Sequence, residues 1–133
     1  MWVFGGNKKL KLDHVHFIDF LKKEELLNYY KVADIFVLPT RGNVWGLVIN
    51  EAMACGLPII TTDKCVDGLE LIKNNENGFL VPIEDEQLLA EKINVILNDM
   101  NLQRQMSINN LHKIKRYTIE NMTERHYEVL NNM

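Results

Sequence analysis

Apolar residues fall into two alternating patterns along the chain: short unbroken runs, and longer stretches spaced by three and four residues. That alternation predicts short strands separated by helices, as in an α/β domain built on a parallel sheet. Strands are expected at residues 2–4, 15–18, 34–39, 59–62 and 79–81. The run DIFVLP at 34–39 is apolar without interruption, which suits a strand covered on both faces. A helix is expected over 23–33, with Leu26, Leu27, Tyr30 and Ala33 on one face. A second should cover about 46–55, with Gly56 placed to stop it. A short third helix is expected near 68–73, followed by the turn signal Asn77-Gly78. Beyond Pro82 the pattern is helical. Asp85 and Glu86 favour a helix N-terminus through the helix dipole, and Leu88, Leu89, Ile93, Ile96 and Leu97 form the stripe that follows. Leu102, Met106, Leu111 and Ile114 make a weaker stripe over 102–115. Thr118 is a candidate cap for a terminal helix at 118–133 carrying Met122, His126, Val129, Leu130 and Met133. No repeat, low-complexity tract or Pro- or Ser-rich linker breaks the chain, so residues 1–133 are expected to form one unit.

Composition narrows the function classes. A chain of 133 residues can bury a real core. The 47% hydrophobic and 25% charged content is that of an ordinary globular domain. A net charge of −3, with basic residues scattered apart from Lys8, Lys9 and Lys11, gives no electrostatic reason to expect nucleic acid as a partner. Cys55 and Cys65 form no CxxC pattern, and no secretory signal is recognisable, so a reduced cytoplasmic compartment is the simpler expectation. No apolar run approaches the roughly 20 residues that span a bilayer.

The segment with candidate chemistry is PTRGNVWGLVINEAMACGLP, residues 39–58. A strand ends at its start and a helix begins near Gly46. Ligands of open α/β sheets bind beyond the carboxyl ends of the strands. A helix N-terminus there offers N–H groups and a positive dipole end to a phosphate. Gly46, lacking a side chain, lets a diphosphate approach its backbone. Glu51 lies about a turn and a half further on. Helical side chains lean back toward the N-terminus, so its carboxylate can accept hydrogen bonds from a vicinal diol such as that of ribose. The bland alternative is a core helix, apolar nearly all round, in which Glu51 needs some other partner. Spacing alone leaves the two readings even.

The same residues resemble the nucleotide-binding signature of family 4, or group 1, glycosyltransferases of the GT-B fold. EAMACGLPII at 51–60 is similar to the second half of that signature. DIFVLPT at 34–40, CVDGLELI at 65–72 and NGFLVP at 77–82 resemble the flanking family blocks in order. The resemblance implies a partial Rossmann-like three-layer domain, the C-terminal half of a GT-B fold. It implies that Glu51 binds the ribose of a nucleotide-diphosphate sugar. It also implies that the Gly46 and Leu47 amides face the diphosphate or the transferred sugar. Asn43 stands where the family carries its first acidic residue; it keeps a hydrogen-bonding carbonyl but no charge. Asn43 and Glu51 are thus the catalytic candidates, and Arg41 is a further candidate for a phosphate or sugar contact, set against the plainer reading of a solvent-facing loop arginine. No metal or other cofactor is implied.

Other residues carry weaker signals. His14 and His16 have strand spacing, but two histidines without a third ligand favour surface or packing roles. His126 reads as packing, and Trp45 as packing its loop more than stacking on a base. Thr61, Thr62 and Asp63 end a strand and so border the expected ligand crevice; Asp63 is alternatively a cap for the next turn. Glu70 lies in a loop similar to one near the donor sugar in the family, or is a solvated helix residue.

Two functions follow from the resemblance. One is retaining transfer of a sugar from a nucleotide donor to a glycan or lipid-linked acceptor. The family's N-terminal acceptor domain is not recognisable in these residues, so little activity is expected of the chain alone. The other is a non-catalytic nucleotide-binding remnant or subunit that pairs with a separate N-terminal-domain protein or with a second copy. Attachment to the inner membrane face would come through a partner.

Overall fold

The structure, a computed structural model, describes residues 1–5, 11–42 and 47–118. The Lys8 and Lys9 cluster, Asn43, Trp45, Gly46 and the expected helix beyond Thr118 lie outside those residues. The chain folds as two compact units, Met1–Val32 and Ala33–Met133.

The first unit pairs two parallel strands, β1 (Trp2–Phe4) and β2 (His16–Ile18), and adds helix α1 (Lys23–Val32). The Lys22 N–H donates to the Glu25 carboxylate at 2.9 Å, the backward half of a capping box at the start of α1. Trp2 and Phe4 meet Tyr29 edge-on, with centroids 5.4 and 5.2 Å apart. Of the expected inner face of α1, Tyr30 is buried and Leu26 half-buried, but Leu27 is exposed and half-buried Tyr29 joins the covered side instead. His14 takes a turn with φ 63 and is not in the strand with His16; both are exposed.

In the second unit, strands β3 (Phe36–Leu38), β4 (Ile59–Thr62) and β5 (Gly78–Val81) form a parallel sheet in the order β3-β4-β5. Their connections are helices α2 (Val48–Ala54) and α3 (Val66–Leu71). Helices α4 (Glu86–Asn98) and α5 (Met100–Ile114) follow, then a 3-10 turn at Lys115–Tyr117. Central β4 is buried at every position, whereas β3, expected to be covered on both faces, is only half-buried. The difference is positional: β3 lies at one side of this sheet. Pro39 has no N–H to carry its ladder further.

Ile60, Phe79 and Val81 share one sheet face and form a core with Ile96 of α4 and Met106 of α5, bordered by Val37, Leu88, Leu89, Ile93 and Leu102. On the opposite face, Gly68 of α3 sits so close to Thr61 that a Cβ would strike its methyl group. Helices thus cover both faces, as a three-layer architecture requires. Leu97 leaves the expected stripe, since it lies about 100° round the helix from buried Ile96. Leu111 is likewise exposed, and Asn110 takes its inward place, one i+4 step from Met106.

Side chains set the ends of these helices. Asp85 caps α4 by accepting from the Leu88 N–H at 2.9 Å, and Asp99 caps α5 by accepting from Asn101 and Leu102. Asp85→Ala is expected to cost about 1 kcal/mol. In a thermal melt that corresponds to a Tm lowered by about 3–5 °C; an unchanged Tm would show the cap to be dispensable.

Candidate functional site

Because the three strands of the second unit are parallel, their carboxyl ends make one rim. The loop from Pro39 to Gly42, the start of α2, residues 62–64 and the turn around Glu84 all belong to it. Two hydroxyls of β4 tie the first of these loops down. Thr61 Oγ1 donates to the Leu38 carbonyl at 2.9 Å, and Thr62 Oγ1 donates to the Thr40 carbonyl at 2.7 Å. Thr40 Oγ1 in turn donates to the Gly42 carbonyl at 3.0 Å and receives the Gly42 N–H at 3.3 Å. The chain approaching position 43 is therefore braced from β4 outward. Sequence reading placed Thr61 and Thr62 at the crevice but missed this bracing role. Their strand position facing a neighbouring loop was the available signal.

Helix α2 starts at Val48, two residues after the expected start at 46: Leu47 is its N-cap, with φ −74 and ψ 0 and no side-chain cap bond. Leu47 is 65% exposed. Glu51, in the first turn, is half-buried, and its N–H donates to the Leu47 carbonyl at 2.8 Å. Ile49, Ala52 and Met53 are buried and fix the helix against the core. The helix thus sinks one face into the protein while its first turn, bearing Glu51, opens at the rim.

The other end of α2 is closed by a Schellman motif. The Leu57 N–H donates to the Ala52 carbonyl at 3.1 Å and the Gly56 N–H to Met53 at 2.9 Å. Gly56 has φ +74 and its missing Cβ would lie 2.8 Å from Ser107 Oγ, so a side chain there would be both strained and obstructed by α5. This is the stop expected from the sequence. Beyond it, buried Asn110 of α5 donates to the Leu57 carbonyl at 2.7 Å and to the Asn77 carbonyl at 2.9 Å. Asn77 Nδ2 returns a bond to Asn110 Oδ1 at 2.9 Å and also donates to the Leu71 carbonyl, while its Oδ1 accepts from Lys73 N–H at 2.8 Å. A polar network thus anchors the back of α2 to α5 and to the turn entering β5. A polar residue in the inward row Leu102, Met106, Asn110, Ile114 was the signal that went unread.

Arg41 lies on the rim, 81% exposed, with Nε 3.4 Å from Glu84 Oε1. Asp63 is exposed, and its N–H donates to the Val81 carbonyl at 2.9 Å. It does not cap α3, whose N-cap is Cys65. Glu70 is exposed on α3. The structure therefore brings Arg41, Leu47 and Glu51 to one side of the sheet; Asn43 and Gly46 fall outside the described residues. Lys113, whose pKa is lowered first by burial and then by Lys73 and Arg116, lies near the turn entering β5, at the other end of the strands. Among the described residues, no group of three His, Cys, Asp or Glu side chains is placed to hold a metal ion.

Residues 7–113 match the family model for glycosyl transferases group 1. A D-inositol 3-phosphate glycosyltransferase of Jonesia denitrificans is 35% identical over 94 residues, covering 70% of this chain and 22% of that protein. Sucrose-phosphate synthase of Thermosynechococcus elongatus superposes with a TM-score of 0.74 at 31% identity, covering 90% of this chain and 31% of that one. Alr3699/HepE of Anabaena, solved in complex with UDP, superposes with a TM-score of 0.79 at 24% identity, covering 91% of this chain and 33% of that one. The chain thus spans less than a third of the length of the curated relatives it matches.

Proposed function

Since this chain belongs to the group 1 glycosyl transferases, we propose that it forms the donor-binding part of a retaining glycosyltransferase. The donor is a nucleotide-diphosphate sugar, and the acceptor a glycan or a lipid-linked glycan. The observation that carries this reading is α2, whose first turn opens at the carboxyl rim with Glu51 half-buried inside the family-matched segment.

In this scheme the diphosphate lies against backbone N–H groups at the start of α2, including those of Gly46 and Leu47. The Glu51 carboxylate accepts hydrogen bonds from the two ribose hydroxyls. Asn43 holds a hydroxyl of the transferred sugar. As the anomeric carbon–oxygen bond breaks, the leaving diphosphate oxygen takes the acceptor hydroxyl's proton, and the acceptor oxygen bonds to the same face of the sugar. Amides already aimed at the diphosphate stabilise the negative charge that develops on it. Asn43 brings no charge to the oxocarbenium-like centre, and no metal takes part.

That neutral residue also favours a second reading. Here the chain binds the nucleotide without catalysing transfer and works with a separate N-terminal-domain protein or with a second copy. Either way we place the protein in the cytoplasm, with any attachment to the inner membrane face made through a partner. Among the described residues no helix is long and apolar enough to cross a membrane.

Calorimetry or saturation-transfer NMR with UDP, GDP and ADP tests the donor site. One nucleotide is expected to bind, and Glu51→Ala to weaken it about tenfold or more, as loss of charged hydrogen bonds does. Absence of binding by every nucleotide, or an unchanged affinity in Glu51→Ala, would refute it. Sugar transfer from the matching nucleotide sugar then separates the enzyme from the binding subunit.

A further inference from the structure

Arg41 follows β3 and Glu84 follows β5, so their ion pair crosses the carboxyl end of β4, which runs between those strands. Two features make this contact unusual. Glu84 holds φ 62, in the left-handed region that a residue with a Cβ enters only at a cost. The pair is also exposed, 81% for the Arg41 side chain and 66% for that of Glu84, and exposed ion pairs contribute little net stability. A strained backbone is thus kept where the contact it makes does little for the fold. Strain of that kind gathers at functional positions.

Resting on the donor-binding reading above, we propose that Glu84 is an anion-screening residue. It holds Arg41 at the rim as a stand-in for phosphate and gives it up when the donor diphosphate arrives. A guanidinium binds phosphate through charge-assisted, often paired hydrogen bonds, so a diphosphate competes well for it. The exchange has two consequences. The Glu84 charge discourages monophosphates, which carry less negative charge than a diphosphate and are attracted to Arg41 more weakly. It also keeps Arg41 in place between binding events, so that less ordering is needed on arrival. Glu84 is therefore a positioning and specificity residue that acts through Arg41, without contacting the reacting atoms.

The test measures UDP and UMP affinity of the 133-residue chain and its variants at low and high salt. Glu84→Gln is expected to tighten UDP and UMP together, UMP more, by about threefold to tenfold at low salt. The gain should shrink at high salt, where exposed charges are screened. Arg41→Gln should weaken UDP by a similar factor. In the Arg41→Gln background, Glu84→Gln should lose most of its effect, which a purely structural role of Glu84 would not produce. Glu84→Gly, which removes the strain together with the carboxylate, should match Glu84→Gln in affinity and melt at a higher temperature. Unchanged UDP and UMP affinities in Glu84→Gln, or equal gains with and without Arg41, overturn the screening role while Glu51→Ala still weakens binding. Absence of UDP binding in all variants, with GDP and ADP also inert, overturns this role and the donor site together.

Discussion

Asn110→Ala is expected to lower folding stability by about 3 kcal/mol, read as a fall in the denaturation midpoint at unchanged slope. Asn110 is fully buried and makes bonds to Leu57, Asn77 and the Asn77 side chain. Alanine leaves the Leu57 and Asn77 carbonyls without that donor in a region water does not reach, and it opens a small cavity. Each buried polar group stripped of its partner costs roughly 1–3 kcal/mol. Asn110→Asp sharpens the test. At neutral pH it would set a carboxylate against the same two carbonyl oxygens. Burial and repulsion raise its folded-state pKa above the unfolded value, so the penalty is complete above the folded pKa and fades as pH falls toward about 4. Asn110→Asp should therefore be less stable than Asn110→Ala at pH 7 and recover in acid. Equal stability of the two variants across that range would show that the network matters only as packing.

Gly78→Ala is the second large effect, again about 3 kcal/mol, at the upper end of overpacking costs. The added Cβ would overlap the Ile59 carbonyl oxygen and lie 3.0 Å from the Ile59 carbonyl carbon. Those atoms belong to the backbone of β4, which is buried on both sides and cannot rotate away. Gly68→Ala makes a useful comparison. Its Cβ strikes the Thr61 methyl group, a side chain with some freedom to move, although Thr61 Oγ1 is committed to Leu38. Gly78→Ala should therefore be the worse of the two, and hydrogen exchange should show faster opening of the β4–β5 pair. If Gly68→Ala proves the more damaging, α3 and not the strand pair is the rigid element.

Much of the second unit could be read from the chain because one physical signal dominated at each point. IITT at 59–62 and GFLV at 78–81 are compact apolar runs bounded by turn residues, and they form strands where expected. Gly56 stops α2 because a left-handed residue was needed beside α5. Legibility failed where burial depended on neighbours from other elements. The sequence of β3 is as apolar as that of a central strand, yet its cover depends on its place in the sheet. Leu27 and Tyr29 lie on nearly opposite sides of α1, and the two ring contacts with Trp2 and Phe4 draw the Tyr29 side inward.

The candidate site divides in the same way. Glu51 stands out in the sequence as a carboxylate in an otherwise apolar helix, and the structure places it half-buried in the first turn of α2. Arg41 was legible as a loop residue, but its pairing with Glu84 was not. The two lie on separate connections, and the turn that presents Glu84 needs a backbone conformation that glutamate gives no sign of adopting. Asn110 looked like an interruption of a stripe, when it is the inward residue itself.

A consequence follows from how briefly α2 runs. Seven residues make a rod about 10 Å long. It is clamped at its tail by Gly56, Leu57 and Asn110, and in the proposed donor-binding reading it presents its head to the diphosphate. At that length, a tilt of roughly 6° at the clamp swings the leading amides by about 1 Å, and displacements of that size can cost a hundredfold in rate. On that reading, aim at the donor is set from behind. Small repackings between Ser107, Leu111 and Gly56 would then shift that aim without altering a residue at the rim.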